Sequence, residues 1–391
     1  MRLKLKLTVI IVIIMVAVIG AISIILLTRA SATAVEVAQE NLENMTGIAA
    51  GDLASRYQVY VDVLQTLAQI MADYQSVEPA LRRGQFTEII TAIMESRTNF
   101  IGMYTVWKPN IIDNRNGELA NTPGTDASGN FIVWISRDRG YLEQRAYTNW
   151  QNVLAEVKRV PIIGDPERLN ISGKDLMVTN ITVPIIPQGS SDIVGLIGVN
   201  FELSLSQKIV SALKPYGNGR AILISNNGTV AAHYDPSKIG SSAEEVLLPV
   251  IGTFGVNSVR EGLKAGSPKL FSSNGRICDV YPFYVGENDT PWALLSSVES
   301  SRVLAEVNSL IRFTFIMAFI AIFVSAIIIF FTAANIVKPI VNVSLTLKDI
   351  SEGEGDLTKT IALKSKDEVG DLARYFNQTL EKIKNLVVVI K

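Results

Sequence analysis

Two long uncharged apolar runs set the terms for any fold this chain can adopt. Residues 313–336 carry no charge; Arg312 precedes them, and Lys338 and Pro339 follow. An α-helix rises 1.5 Å per residue, so about 20 apolar residues cross a hydrocarbon core of ~30 Å. The second run, residues 7–27, follows the cations Arg2, Lys4 and Lys6. A signal peptide also opens on basic residues, but its apolar region is only about 7–15 residues long, which favours a retained span. Because basic residues concentrate on the cytoplasmic side of spans, the expected order is a cytoplasmic start at 1–6 and a span at 7–28. An extracytoplasmic region at 29–310, a second span at 311–335 and a cytoplasmic segment at 336–391 follow.

The spans account for a hydrophobic content of 48%. Lys and Arg number 36 against 37 Asp and Glu, so no global field draws the chain to nucleic acid. With one cysteine, Cys278, and one histidine, His233, an internal disulfide framework is excluded and a zinc site within one chain is not expected. The sequence contains no G-x-S-x-G, no G-x-x-x-x-G-K-[ST] and no H-E-x-x-H. It reads as a chain without catalysis, cofactor or metal. His233 reads as a strand residue beside a hairpin, and Cys278 as core.

Beyond the first run the pattern is helical to about residue 73. Val35, Leu42, Met45, Ala49, Leu53, Tyr60, Leu64, Leu67 and Met71 recur at near three- and four-residue spacing. If continuous, this helix rises ~65 Å from the membrane and needs a neighbour along its length. Most of the stripe reads as the domain's own core face, and its membrane-proximal part as a surface for a second chain.

Strand signals take over from about residue 100. Residues 100–107, 131–136, 176–186 and 193–203 form one β-rich set; 220–225, 229–233, 269–272, 276–283 and 292–298 form a second. Asn226-Asn227-Gly228 is a hairpin turn, and residues 187–192 make a longer one. The order predicts two successive modules, about 75–215 and 216–302, each a mostly antiparallel sheet with helices packed on it.

Thr182-Val183-Pro184-Ile185 followed by residues 192–201 resembles the hairpin that closes the membrane-distal module of double Cache sensor domains. Residues 221–228 with His233 and 235–240 resemble the opening of the proximal module, and Pro291-Trp292 belongs to the same pattern. After the second span, Ile340, Val343, Leu347 and Ile350 make a 3-4-3 seam. A second seam, Val369, Leu372, Phe376, Leu380, Ile383, Val387 and Ile390, contains an inserted four-residue step. Together with Pro339, Gly355-Asp356-Leu357-Thr358 and the run Asp367-Glu368-Val369-Gly370, this segment resembles a HAMP domain. The resemblance implies a parallel four-helix coiled coil in a homodimer, with Pro339, Gly355, Asp367, Glu368 and Gly370 as relay residues. The expected fold class is therefore α+β: two PAS-like antiparallel-sheet modules on a long N-terminal helix, two transmembrane helices and a C-terminal HAMP domain.

The candidate for recognition is the distal module. Tyr104, Trp107, Trp134, Arg137, Arg139, Tyr141, Arg145, Tyr147 and Trp150 fall close together without simple core periodicity. Rings offer rigid apolar walls and cation-binding faces, and Arg grips a carboxylate with two bonds. In double Cache domains that bind amino acids, an Arg and a Trp before a Tyr hold the carboxylate, and an Asp near an S/T-G turn holds the amine. Here Arg145 and Trp150 are five apart with Tyr147 between them, and Leu169 or Asn170 stands where the acid is expected before Ser172-Gly173. Asp165 and Asp175 are the nearest substitutes. The candidate ligand residues are thus Tyr104, Trp134, Arg145, Tyr147, Trp150, Asp165 and Asp175, and the ligand class is an amino acid or organic acid.

The functional expectation is a transmembrane chemoreceptor of the methyl-accepting type. It would act as a homodimer on cytoplasmic signalling proteins through an output domain beyond Lys391. The alternatives are the sensory half of a membrane histidine kinase or diguanylate cyclase, and a membrane-anchored binding protein without signalling, which leaves the HAMP pattern unexplained.

Overall fold

The helical periodicity after the first apolar run is realised as one helix, α1 (Leu3–Ala72). The computed structural model describes residues 3–138, 141–171, 174–287, 290–352, 360–361 and 368–390. In α1 the buried line is Ala38, Leu42, Thr46, Ala50, Leu53, Tyr57, Val61, Leu64, Ala68 and Met71. Steps of three and four keep it on one face. Met45, expected on that line, is instead 38% exposed, and Thr46 takes the inward position. A polar residue is tolerated there because its hydroxyl bonds the Leu42 carbonyl and Ser296.

Residues 34–304 form one compact unit. After α2 (Arg82–Ser96) come β1 (Phe100–Trp107), β2 (Ile132–Asp138), β3 (Tyr141–Ala146), α3 (Trp150–Glu156), β4 (Ile162–Ile163), β5 (Glu167–Ile171), β6 (Lys174–Ile185) and β7 (Gly195–Glu202). They form an antiparallel sheet in the order β3-β2-β1-β7-β6-β4, with β5 also on β6. Strand alternation divides its residues between two faces. Met103, Val133, Ile135, Ile181, Val183, Ile197 and Val199 join α1 and α2 in the main core. Tyr104, Val106, Ile132 and Leu196 form a separate cluster on the other face, under α3.

The sequence pattern did not disclose β3, β4 or β5. Tyr-Leu-Glu-Gln-Arg-Ala in β3 is a polar edge strand, β4 spans two residues, and β5 is an exposed hairpin arm.

A second sheet follows α4 (Ser204–Ala212). Its strands are β8 (Arg220–Ile224), β9 (Val230–His233), β10 (Lys269–Ser273), β11 (Arg276–Phe283) and β12 (Trp292–Glu299), in the order β10-β11-β12-β8-β9. The helix α5 (Ala243–Ala265) covers the Cys278, Val280 and Leu295 face. The opposite face packs on α1: Ile277 and Val298 meet Ala38 and Leu42, and Leu294 and Trp292 join the main core. The α1 helix therefore backs both sheets. A short α6 (Ser300–Val303) ends the unit.

The other unit contains residues 1–33 and 305–391. Its helices α7 (Ala305–Glu352) and the first part of α1 are long and apolar enough to cross a membrane. Ile24, Ile25, Leu26, Phe313, Phe315 and Phe319 project outward, as a lipid-facing surface requires. Pro339, near the start of the HAMP pattern, lies within α7, which runs through it without a break. In α8 (Glu368–Ile390), Ala373 and Phe376 pack with Val343 and Ile361. Asn377 clamps the Ile361 backbone, accepting from its N–H at 2.8 Å and donating to its carbonyl at 3.0 Å. Leu372, expected on the seam, is exposed, as are Ile383, Ile340 and Leu347. Gly355 and Asp367 lie outside the described residues, as do Arg139, Ser172 and Gly173.

Candidate functional site

One row of the distal sheet gathers the aromatic residues. Directly paired residues across an antiparallel sheet point to the same face, and the row reads Arg145, Trp134, Tyr104, Gly198, Thr182 from β3 to β6. Gly198 makes the row possible, since a Cβ there would sit 2.2 Å from the Tyr104 ring. The Tyr104 hydroxyl reaches Thr182 Oγ1 at 2.8 Å. Tyr147, just past β3, stacks on Tyr104 with centroids 4.5 Å apart and planes 10° from parallel. Trp134 meets the Tyr147 ring edge-on at 6.1 Å. The three side chains thus form one aromatic cluster, and Trp150 packs on it from the first turn of α3.

The adjacent row supplies polar atoms. Gly102 pairs with Asn200, which pairs with Asn180. The Trp134 indole nitrogen lies over Gly102, 2.3 Å from where a Cβ would be. Trp134 Nε1 and Asn200 Oδ1 are both buried and have no protein hydrogen-bond partner. Unpaired buried donors and acceptors are costly, so this face of the sheet carries one donor and one acceptor not satisfied by the protein. Glu167 of β5 lies close enough to raise the pKa of both tyrosines. Burial is the larger cause of those shifts; it pushes Tyr147 up to about 12, and it also lifts the Glu167 carboxyl above the usual range. Glu167 carried no sequence signal, because its strand was not recognised.

The remaining candidates go elsewhere. Arg145 sits at the exposed end of the row, 2.6 Å from Glu143. Asp165 is turned to the proximal module, where it accepts hydrogen bonds from Ser225 Oγ and Asn227 Nδ2. Asp175 accepts from Asn170 at the exposed tip of the β5–β6 hairpin. Neither aspartate joins the aromatic cluster, because β5 brings Glu167 to it instead. Trp107 is core, packed on Tyr74 and Phe86, Arg137 is tied to the Met94 carbonyl at the end of α2, and Tyr141 is exposed. His233 and Cys278 are both buried strand residues.

Comparison with known proteins places this geometry in context. Residues 331–385 match the HAMP domain family. The chain is 24% identical over 348 residues to methyl-accepting chemotaxis protein TlpQ of Pseudomonas aeruginosa, covering 79% of this chain and 47% of that one. It is 29% identical over 229 residues to methyl-accepting chemotaxis protein PscA of Pseudomonas syringae, covering 57% and 33% respectively. Its relatives are methyl-accepting chemotaxis proteins. The chain spans about half the length of TlpQ and a third of PscA, with the HAMP match at its C-terminal end.

The fold has solved counterparts. The periplasmic sensory domain of the Campylobacter jejuni chemoreceptor Tlp1 superposes with a TM-score of 0.55 at 18% identity, covering 69% of this chain and 98% of that one. The extracellular domain of mmHK1S-Z2, a candidate histidine kinase, gives 0.56 at 21% identity, covering 68% and 99%. A two-sheet fold shared with these sensory and extracellular domains therefore precedes the HAMP segment.

Proposed function

We propose that this chain is the sensing and relay half of a bacterial transmembrane chemoreceptor, lying in the cytoplasmic membrane with residues 29–310 outside. The observation that carries this reading is the order of parts: a two-sheet sensor built on a helix that also contains a span, then a second apolar helix running into a HAMP segment. The chain binds and transmits, and the output domain follows Lys391. The exposed apolar residues Leu372, Ile383, Ile340 and Leu347 supply faces for a second copy, so the HAMP helices complete a four-helix bundle in a homodimer. Glu368 and Gly370 on α8, with Pro339, Gly355 and Asp367, belong to the relay.

The ligand site is the aromatic cluster of Tyr104, Trp134 and Tyr147 with Asn200 and Glu167, and Trp150 at its margin. An acid with no partnering cation among the described residues and three rings suit an ammonium group, while Trp134 Nε1 and Asn200 Oδ1 suit a ligand with both an acceptor and a donor. Arg145, engaged with Glu143, favours a small organic ammonium compound, amino acids included, over a plain organic acid.

A thermal-shift screen of the full chain in detergent, using amines, amino acids and dicarboxylates, tests the site, since a ligand selective for the folded state raises its melting temperature. Stabilisation by dicarboxylates alone would overturn the assignment. The same sensor fold precedes kinases, so a histidine kinase is the second reading of the output. Fusing the chain to a methyl-accepting signalling domain and following ligand-dependent kinase control separates the two.

A further inference from the structure

The sheet of the proximal module carries an acid where its packing calls for an apolar residue. On the face that meets α1, β11 presents Ile277, Asp279 and Tyr281 in turn, and Asp279 pairs across the sheet with Leu270 on one side and Ser296 on the other. Asp279 is fully buried, neither carboxylate oxygen has a hydrogen-bond partner in good geometry, and the Thr46 hydroxyl is the side-chain donor near enough to act on it. The neighbour from α1 is Thr46, whose hydroxyl is committed to the Leu42 carbonyl and Ser296. One residue on, Gly47 lies against the Tyr281 ring, 2.9 Å from a Cβ built there. The helix thus packs directly on the sheet beside the buried acid.

No cation compensates it among the described residues. Arg276 and Lys269 alternate onto the α5 face, where Arg276 is tied to Glu299 and Lys269 to Glu261. Arg220 of β8 pairs with Ser297 on that same face and bonds the Tyr234 hydroxyl. From α1 the nearest further charge is Glu43, which is of like sign. A lone carboxylate in such a place costs far more than the neutral acid.

We propose that the proximal module is itself a proton sensor, in which Asp279 is the binding site and its ionisation loosens the seat of α1 on the sheet. Burial pushes the Asp279 carboxyl up to about 7, with Thr46 pulling it down and Glu43 adding a smaller upward push. Below that value the acid is neutral and α1 packs as described. Above it a charge forms with no counter-ion, and the adjustable element is the helix, which carries the displacement along its own axis. This stimulus acts at a different module from the aromatic cluster and is independent of any ligand there.

The test uses the full chain in lipid nanodiscs with a nitroxide on Asn44→Cys, an exposed position of α1 beside the site, while the native Cys278 is buried. Infrared difference spectra across pH should show a carboxylic-acid carbonyl signal vanishing near neutrality. The nitroxide spectrum should change with the same midpoint. Glu43→Gln should lower that midpoint, and Asp279→Asn should abolish the infrared signal and hold the nitroxide in its low-pH form throughout. Trp134→Ala should leave the response intact. A carbonyl signal that titrates below pH about 5, as an ordinary carboxylate does, would overturn the proposal. So would a nitroxide that ignores pH in the wild type or still responds in Asp279→Asn. If Asp279→Asn does not fold, the wild-type titration and the direction of the Glu43→Gln shift decide alone.

Discussion

Tyr104 and Tyr147 stack face to face at 4.5 Å although one lies in the middle of a strand and the other just beyond the end of β3. Their contact fixes the chain leaving β3 over the sheet and makes the floor of the proposed ligand site. Aromatic pairs contribute about 0.5–1.5 kcal/mol beyond the area they bury. Tyr147→Ala should therefore weaken the first amine found by thermal-shift screening by roughly threefold to tenfold or more, since a ligand-facing ring is lost as well. Calorimetry on the full chain checks this, with circular dichroism to verify folding. Unchanged affinity would move the site away from this face.

The loop between β1 and β2 depends on a buried ion pair. Arg83 of α2 bonds Asp113 at 2.8 Å and also reaches the Gly129 carbonyl and Asn116, with Asp113 almost fully enclosed. Removing one partner of such a pair leaves an uncompensated charge and costs about 3–5 kcal/mol. Asp113→Ala should lower the unfolding free energy read from urea titration by that amount, whereas breaking the exposed Arg56–Asp52 pair should change it by under about 1 kcal/mol. Similar losses for the two would show that the loop is not held this way.

How much of this was legible in the sequence depended on where a residue's partner lies. The spans, α1, the hairpins and the α+β order follow from local periodicity and turn chemistry. Tyr104, Trp134 and Tyr147 stood out because aromatic residues are few. Glu167 did not, because β5 is defined only by pairing with β6, a relationship that a five-residue polar segment cannot announce. Asp165 had the right chemistry, but its partners Ser225 and Asn227 lie about sixty residues away in the next module. Thr46 and Asp279 carried no local signal, because what sets them apart is the packing of α1 on β11.

Asp279 also makes stability depend on pH in a definite direction. Its folded-state value, about 7, lies above the ordinary value near 3.9, so the folded protein holds the proton more tightly. Its stabilising contribution is complete below about pH 4 and is lost as pH rises towards 7, at up to about 1.4 kcal/mol per pH unit. The melting temperature of wild type minus that of Asp279→Asn should therefore fall across this window and level off above it. A flat or rising difference would mean that the buried acid is ionised throughout.

The outer face of α1 carries Val37, Ile48 and Val59, and Ile48 is 76% exposed. We expect this face to pair with a second copy. In membranes, Ile48→Cys should form a disulfide-linked dimer on mild oxidation, while Leu42→Cys, wholly buried on the sheet side, should not. Equal crosslinking at both positions would show nonspecific collision instead of a helix interface.

The last expectation concerns how a movement outside reaches the HAMP helices. The helix α7 is unbroken from Ala305 to Glu352, so the apolar segment and the first HAMP seam share one rotational phase. The second seam contains the four-residue insertion that lets a coiled coil pack in more than one way. A ligand can shift such an equilibrium only by its differential affinity for the two packings, with coupling typically of about 1–3 kcal/mol. Inserting one residue between Ala334 and Asn335 turns the following seam by roughly 100°, whereas inserting seven restores it to within about 20°. In a chimera with a signalling domain, the single insertion should lock output on or off while ligand binds with near-native affinity. The seven-residue insertion should recover part of the response. If the two insertions behave alike, helix phase carries no signal, and the relay has to work by a displacement along the axis that ignores rotation.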